Sequence, residues 1–201
     1  KNNRKISLDK FINKSLFEKS KGYYASKNPF GKDGDFITSP NISIMFSEII
    51  AIWLISFWKK LGSPKKINII ELGAGNGEMM YQILKSIENF KKFKLSAKFY
   101  IIEKSTKLKK IQKKRIENNN VIWINSFKDI SNFPSIFLAN EFFDALPIKQ
   151  FLRKKKIWYE KFVYSKKNQL QFIDVKIKKN KIEKIINEKI SKNMNFIEYS
   201  P

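Results

Sequence analysis

An acid and three glycines stand at every second position of Ile67-Asn-Ile-Ile-Glu-Leu-Gly-Ala-Gly-Asn-Gly77: Glu71, Gly73, Gly75 and Gly77, at the end of a short apolar run. Glycine lets a backbone approach a ligand with no Cβ in the way, so a strand that ends in such a turn suits a nucleotide-type cofactor. In the dinucleotide fingerprint the third glycine follows the second by three residues, and a pyrophosphate rests on the start of the helix. Here that position is Glu78, a carboxylate in the first helical turn that would repel a pyrophosphate. Gly77 instead keeps the turn open, and Ala74 and Asn76 complete it. On this motif alone, a glycine-rich turn in some other α/β fold remains an open reading.

The spacing Glu-x-Gly-x-Gly-x-Gly resembles motif I of the class I S-adenosyl-L-methionine (SAM) methyltransferases. SAM has an amino-acid end, a ribose, an adenine and a sulfonium cation, so its site needs close backbone approach, an acid for two hydroxyls and a flat apolar slot. Glu71 could hold a water or the ammonium. Glu103, at the end of the next strand, could accept from both ribose hydroxyls, the place where nucleotide-binding folds put an acid. An acid at a strand end is often merely solvated, but one that follows this glycine turn gains a cofactor role. After the third strand, Asn125-Ser126-Phe127 falls where the adenine would lie, with Ser126 as a hydrogen-bond partner and Phe127 as an apolar wall or, equally, a core residue.

The fourth strand runs into Asn140-Glu-Phe-Phe-Asp-Ala-Leu-Pro147, at the carboxyl edge where doubly wound sheets bind ligands. Glu141 and Asp144, three residues apart in an expected helical turn, would face the same way, and two carboxylates on one cavity call for a cation. A guanidinium fits, because its nitrogen becomes a nucleophile only when carboxylates orient it and take its proton. The plainer reading has Asp144 capping a helix and Glu141 pairing with a lysine. Asn140 stands where nucleic-acid amine methyltransferases begin an Asn/Asp-Pro-Pro-aromatic signature, but Glu141 replaces the first proline, and its charge would repel phosphate.

Composition narrows the chemistry further. The 201 residues, 42% hydrophobic, can bury one core. Cysteine and histidine are both absent, which removes disulfides, Cys/His zinc sites, thiolate-held iron–sulfur clusters, cysteine nucleophiles and histidine bases. No metal is expected, and proton transfer falls to Asp, Glu, Tyr, Lys or water. The net charge of +23 would suit nucleic acid or an anionic membrane. Yet only Arg4, Arg115 and Arg153 among 41 basic residues are arginine, and the lysines are spread evenly beside Asn and Ile. Phosphate readers cluster arginine for its bidentate fork, so the charge reads as compositional bias. The apolar segment 42–58 is interrupted by Ser43, Ser47, Glu48 and Ser56 and reads as a buried helix rather than a membrane span.

The elements that must position these residues follow from pattern. A helix is expected over 8–18, then a turn-rich loop or lid over 21–40, then a helix capped by Asn41 and stopped by Gly62-Ser-Pro64. Strand and helix then alternate: strand 67–71, helix 78–87, strand 98–103, helix 106–117, strands 121–124 and 135–139. That order means an α/β fold with a parallel, doubly wound sheet, here of four strands and incomplete. From 148 the strands change character, 148–153, 156–164 and 170–177, and read as an antiparallel insertion, followed by a helix from 181 with Ile182, Ile185, Ile186 and Ile190 on one face. The expected organisation is a helical and lid segment over 1–62, a SAM-binding core over 63–147, the β insertion over 148–180, and the start of the remaining core over 181–201. The chain opens without methionine and stops within patterned sequence, and reads as an N-terminal fragment.

Gly22-Tyr-Tyr24, Pro29-Phe-Gly31, Gly34-Asp-Phe-Ile-Thr-Ser-Pro40, Ile70-Glu-Leu-Gly73 and Ala139-Asn-Glu-Phe-Phe-Asp-Ala-Leu-Pro147 together resemble the MidA-like protein arginine methyltransferases, from about Leu8 to Pro201. The resemblance implies SAM-dependent N-methylation of an arginine side chain in a protein substrate. Mitochondrial members assemble respiratory complex I, so a complex I subunit is the implied substrate in that case. The compartment would be the mitochondrial matrix in a eukaryote or the cytoplasm in a bacterium. It also implies that 21–40 closes over the cofactor, giving Asp35, Thr38 and Pro40 site roles. Where the family commonly has proline this chain has Ala74, a departure many SAM enzymes share. A nucleic-acid amine methyltransferase and a non-catalytic SAM-binding assembly factor are the alternatives; intact Gly73, Gly75, Gly77 and Glu103 argue against the latter having lost its cofactor site.

Overall fold

A computed structural model describes residues 5–19, 21–26, 35, 38–117, 120–166 and 169–201. Along the chain run β1 (Lys5–Ser7), α1 (Leu8–Phe17), α2 (Tyr23–Ser26), α3 (Ser39–Ile42), α4 (Ile44–Lys60), β2 (Ile67–Leu72), α5 (Glu78–Ser86), α6 (Lys91–Ser96), β3 (Ala97–Ile102), α7 (Thr106–Arg115), β4 (Val121–Ile124), β5 (Ser135–Leu138), β6 (Lys149–Lys154), β7 (Ile157–Lys166), β8 (Gln169–Ile177), α8 (Lys179–Ile186) and β9 (Phe196–Tyr199). The chain divides into two compact units, residues 27–144 and residues 1–26 with 145–201.

The first unit carries the expected parallel sheet, in the order β4-β3-β2-β5. Its strands are short apolar runs bounded by turn residues, and every residue of β2 is buried, as a strand covered on both faces must be. Alternation sends Ile67 and Ile69 to one face, where they meet Ala51, Leu54 and Trp58 of α4, Met80 and Ile83 of α5 and Phe93 of α6. Ile70 and Leu72 point the other way, into a smaller cluster with Tyr100 and Ile124 that loop residues Ile130 and Phe142 cover. On that second face the fully buried Asn68 donates to the Ser131 carbonyl oxygen at 2.7 Å and to Ser135 Oγ at 3.1 Å, and its Oδ1 accepts from the Ser131 hydroxyl at 3.0 Å. A buried amide so satisfied pins the connection from β4 to β5, which contains no α-helix.

Two local expectations are corrected. Asn41 does not cap the long helix: it lies inside α3, and α4 begins after the extended Ser43. Nor is α4 buried all round. Ser47, Ala51, Leu54, Ile55 and Trp58 face the core, whereas Ile49, Ile52 and Trp53 are 57%, 62% and 47% exposed. A helix this apolar is usually covered on every side, and among the described residues only one stripe is. Gly62 does stop it, at φ 81°. Helix α6 has no periodic signature in the sequence, because Phe93 is its single buried anchor.

The second unit is antiparallel. β7 pairs with β8 along one edge, and shares the other between β6 and β1. β9 pairs with the far edge of β6, so residues 181–201 complete this sheet and do not begin a further part of the parallel core. Ile182 of α8 packs with Phe151, Trp158 and Ile190, and Asn187 at φ 55° ends the helix, so Ile190 joins the cluster from beyond it. Residues 1–26 supply β1 and α1 to the same unit, so the N-terminal segment is not one piece with α4. Lys149 bridges Asp9 at 3.1 Å and Glu160 at 2.8 Å. Burial opposes its charge, but the two carboxylates outweigh it and hold the ammonium above its ordinary range.

Candidate functional site

The parallel strands finish in register: Leu72 lies beside Ile102, Ile102 beside Ile124, and Glu71 beside Leu138. Their carboxyl ends therefore form one edge, and strand order reverses between β2 and β5, the position where doubly wound sheets open a ligand crevice. The glycine turn leaves β2 at that point, and the 140–144 segment leaves β5.

The turn is built from left-handed backbone. Gly73, Gly75 and Gly77 have φ of 65°, 54° and 84°, values that favour residues without a Cβ. The Gly73 N–H donates to the Ile102 carbonyl at 2.9 Å, and the Gly77 N–H to Ala74 at 2.7 Å. Ala74 and Asn76 are buried within it. Asn76 ties the turn to the 38–42 segment: its Nδ2 donates to Asn41 Oδ1 at 2.8 Å, and Asn41 Nδ2 donates to Thr38 Oγ1 at 2.8 Å. Thr38 and Pro40 are both buried. Asp35 is exposed, while the Pro29-Phe-Gly31 block and Gly34, Phe36 and Ile37 lie outside the described residues.

Two buried acids lie at the carboxyl ends of β2 and β3. Glu71 is 3% exposed, and its Oε2 has no hydrogen-bond partner among the described residues. Burial, reinforced by the nearby Glu103 charge, pushes its carboxyl up to about 8. Glu103 is also held above the usual carboxylate range by burial, against the pull of its donors: the Ser105 N–H reaches Oε1 at 2.8 Å, and Gln112 Nε2 reaches Oε2 at 3.1 Å. Glu78, expected to bar a pyrophosphate, accepts from Gln82 at 2.8 Å and pairs with Arg115.

The β5 side is different. Glu141 has φ 47°, so no helical turn starts there; a 3₁₀ turn begins at Phe143 and holds Asp144. The expected helical pairing of the two acids is therefore corrected: left-handed backbone at Glu141 breaks the i, i+3 geometry. Both carboxylates are exposed, and neither has an ion pair or hydrogen bond among the described residues. Phe142, between them, lies over the glycine turn. A Cβ built on Gly73 would come within 2.6 Å of the Phe142 ring, so ring and glycine occupy complementary space. Asn140 borders a hollow of about 430 Å³ lined by Phe46, Ile49, Trp53, Met79 and Phe137.

The segment after β4 is mixed. Ser126 Oγ accepts from the Lys128 N–H at 3.2 Å and Asp129 answers the Ser126 N–H, a capping box. Phe127 is 61% exposed and meets Phe137 edge to face, which excludes its reading as a core residue. Sequence reasoning missed Asn41, Gln112 and Phe142. Gln112 sits among lysines, but it follows Leu108 by four residues, and both are buried on the inner face of α7. Among the described residues no three acidic side chains converge as a metal site would require, and no helix is long and apolar enough to cross a membrane.

Residues 49–201 match the family described as "Putative S-adenosyl-L-methionine-dependent methyltransferase". Among curated proteins, the chain is 32% identical over 182 residues to the mitochondrial protein arginine methyltransferase NDUFAF7 of Xenopus laevis. It is 33% identical over 179 residues to the homologue in Drosophila melanogaster. These alignments take in 79% and 77% of this chain, but only 42% and 40% of the relatives' length. A crystal structure from Burkholderia thailandensis, described as a "likely methyl transferase" bound to S-adenosyl-homocysteine, superposes with a TM-score of 0.73 over 91% of this chain and 49% of that one. At 19% identity that likeness is one of fold.

Proposed function

We propose, from the premise that the chain belongs to the family of S-adenosyl-L-methionine-dependent methyltransferases, that it takes part in N-methylation of an arginine side chain in a protein. The observation that carries this reading is the placing of two exposed, unpaired carboxylates, Glu141 and Asp144, on the segment whose Phe142 rests against Gly73 of the glycine turn. The names of its relatives as protein arginine methyltransferases point the same way.

The donor-side residues fit SAM. Three glycines give the turn its left-handed backbone, and the buried Glu71 Oε2, without a hydrogen-bond partner among the described residues, is a polar atom that a bound ammonium or water would satisfy. Glu103 would hold the ribose hydroxyls, and Ser126 and the exposed Phe127 would edge the adenine. Thr38 and Pro40, tied through Asn41 to Asn76, would border the same turn. When bound, SAM supplies a methyl carbon on a sulfonium that leaves as a neutral thioether.

The chain's own work is on the acceptor. Glu141 and Asp144 would grip the guanidinium, localise its positive charge away from the attacking nitrogen, and turn that nitrogen toward the methyl carbon. The proton that the guanidinium nitrogen loses would pass to one of these two carboxylates or to water. Asn140 would offer its amide at the edge of the hollow. A complex I subunit is the substrate that the family resemblance implies, with the mitochondrial matrix as compartment in a eukaryote.

Mass spectrometry of proteins from cells with and without the gene tests the reading. An arginine mass increase of one or two methyl groups that disappears on deletion is the expected result. An unchanged arginine methylation pattern, with SAM still bound by the purified protein, would turn the reading toward a SAM-binding assembly factor.

A further inference from the structure

Gln112 is completely buried in a helix otherwise crowded with lysine. Its amide makes three hydrogen bonds, each to a different part of the donor side: Nε2 donates to the Gly75 carbonyl at 2.9 Å and to Glu103 Oε2 at 3.1 Å, and Oε1 accepts from Trp123 Nε1 at 2.9 Å. The indole N–H can only donate, so it fixes which end of the amide is oxygen. The two amide hydrogens are thereby committed to Gly75 and Glu103. No other residue type of this size offers two donors and an acceptor in one plane.

The consequence falls on Glu103. One of its oxygens takes the Gln112 hydrogen and the other the Ser105 N–H, both from the α7 side. The Lys104 N–H also donates to this carboxylate, and the lone pairs left over are acceptors whose direction these donors set. The Gly75 carbonyl, pulled by the same amide, is held at a fixed offset from that carboxylate. A buried carboxylate without these donors could rotate, or take a proton and become a donor itself.

We infer that Gln112 is a positioning residue: through its bonds to Glu103 and Gly75 it fixes the carboxylate as a paired acceptor for the vicinal diol of the cofactor ribose. The inference rests on the reading of Glu103 as the ribose ligand and adds the residue that makes it selective. Gln112 would act on the ligand through Glu103 and Gly75, to which its amide hydrogens are committed. Its signature is therefore discrimination between ribose and deoxyribose, which a purely structural role in the core would leave unchanged.

The test is calorimetric titration of the full chain with S-adenosyl-L-homocysteine and with its 2′-deoxyribose analogue. The native protein should prefer the ribose form about 10–100-fold, the range for hydrogen bonds to a charged group. In Gln112→Met the preference should fall to about threefold or less, with affinity for the deoxy analogue nearly unchanged. Trp123→Phe, a gentler change that frees the amide to flip, should lose part of the preference in the same direction, and it keeps the test valid if Gln112→Met does not fold. Equal weakening of both ligands in the variants, or a preference that both variants retain, overturns the role of Gln112. A native protein that binds both ligands equally well overturns the ribose assignment of Glu103 instead.

Discussion

The two sides of the candidate site are built on opposite principles. Beside the glycine turn most polar groups are buried and committed: Gln112 joins the turn to Glu103, Ser105 donates to Glu103, and Asn76 donates to Asn41, through hydrogen bonds of 2.8 to 3.1 Å. On the acceptor side Glu141 and Asp144 are exposed and have no partner among the described residues. A small molecule of fixed shape rewards a pre-formed site, since no ordering remains to be done on binding. Carboxylates that await a cation on a large partner must stay solvated until it arrives, because a buried, unpaired charge is costly. Phe142 is where the two sides touch, its ring against Gly73.

The strongest way to break this contrast is to disturb that contact. Gly73→Val places a branched side chain at φ 65° and drives it into the Phe142 ring. A stability loss of about 3 kcal/mol is expected in chemical denaturation, together with loss of S-adenosyl-homocysteine binding by at least about 100-fold (~2.7 kcal/mol). Adding Phe142→Ala should recover the steric part and leave the backbone part. Near-native binding in Gly73→Val would mean that the turn is not pre-formed.

A smaller effect separates the sides by pH. Glu71 is pushed up to about 8, so between the ordinary carboxylate range and that value the folded chain keeps a proton that the unfolded chain has lost. Its contribution to stability is therefore full at low pH and disappears as pH rises through about 8. In Glu71→Gln the decline in unfolding free energy between pH 5 and 8 should be shallower than in the native chain. An identical slope would place the Glu71 carboxyl in water, contrary to its burial.

The donor side was largely legible in the sequence because it is local. One strand, one turn and the acid ending the next strand are short-range patterns, and the four parallel strands appeared within a residue or two of their expected places. What escaped notice depends on tertiary contact. The spacing of Gln112 from Leu108 marks an inner face but not what the amide bonds there, and Asn41 reads as a helix cap until its side chain is seen paired with Asn76. On the acceptor side the motif was visible, but its conformation was not. Nothing in Glu141 itself foretells φ 47°, since only glycine advertises that region. The strands β6, β7 and β8 were expected; β1 and β9, three and four residues long, take their conformation from the partners they pair with.

The proposed division of labour, with Glu141 acting on the methyl acceptor and not on the cofactor, is tested most directly by Glu141→Gln. The change keeps shape and removes charge from an exposed residue. Affinity for S-adenosyl-homocysteine, measured by calorimetry, should stay within about twofold (~0.4 kcal/mol), while methyl transfer to an arginine-containing protein substrate should fall at least about 100-fold. Parallel loss of binding and transfer, or transfer at the native rate, would contradict it.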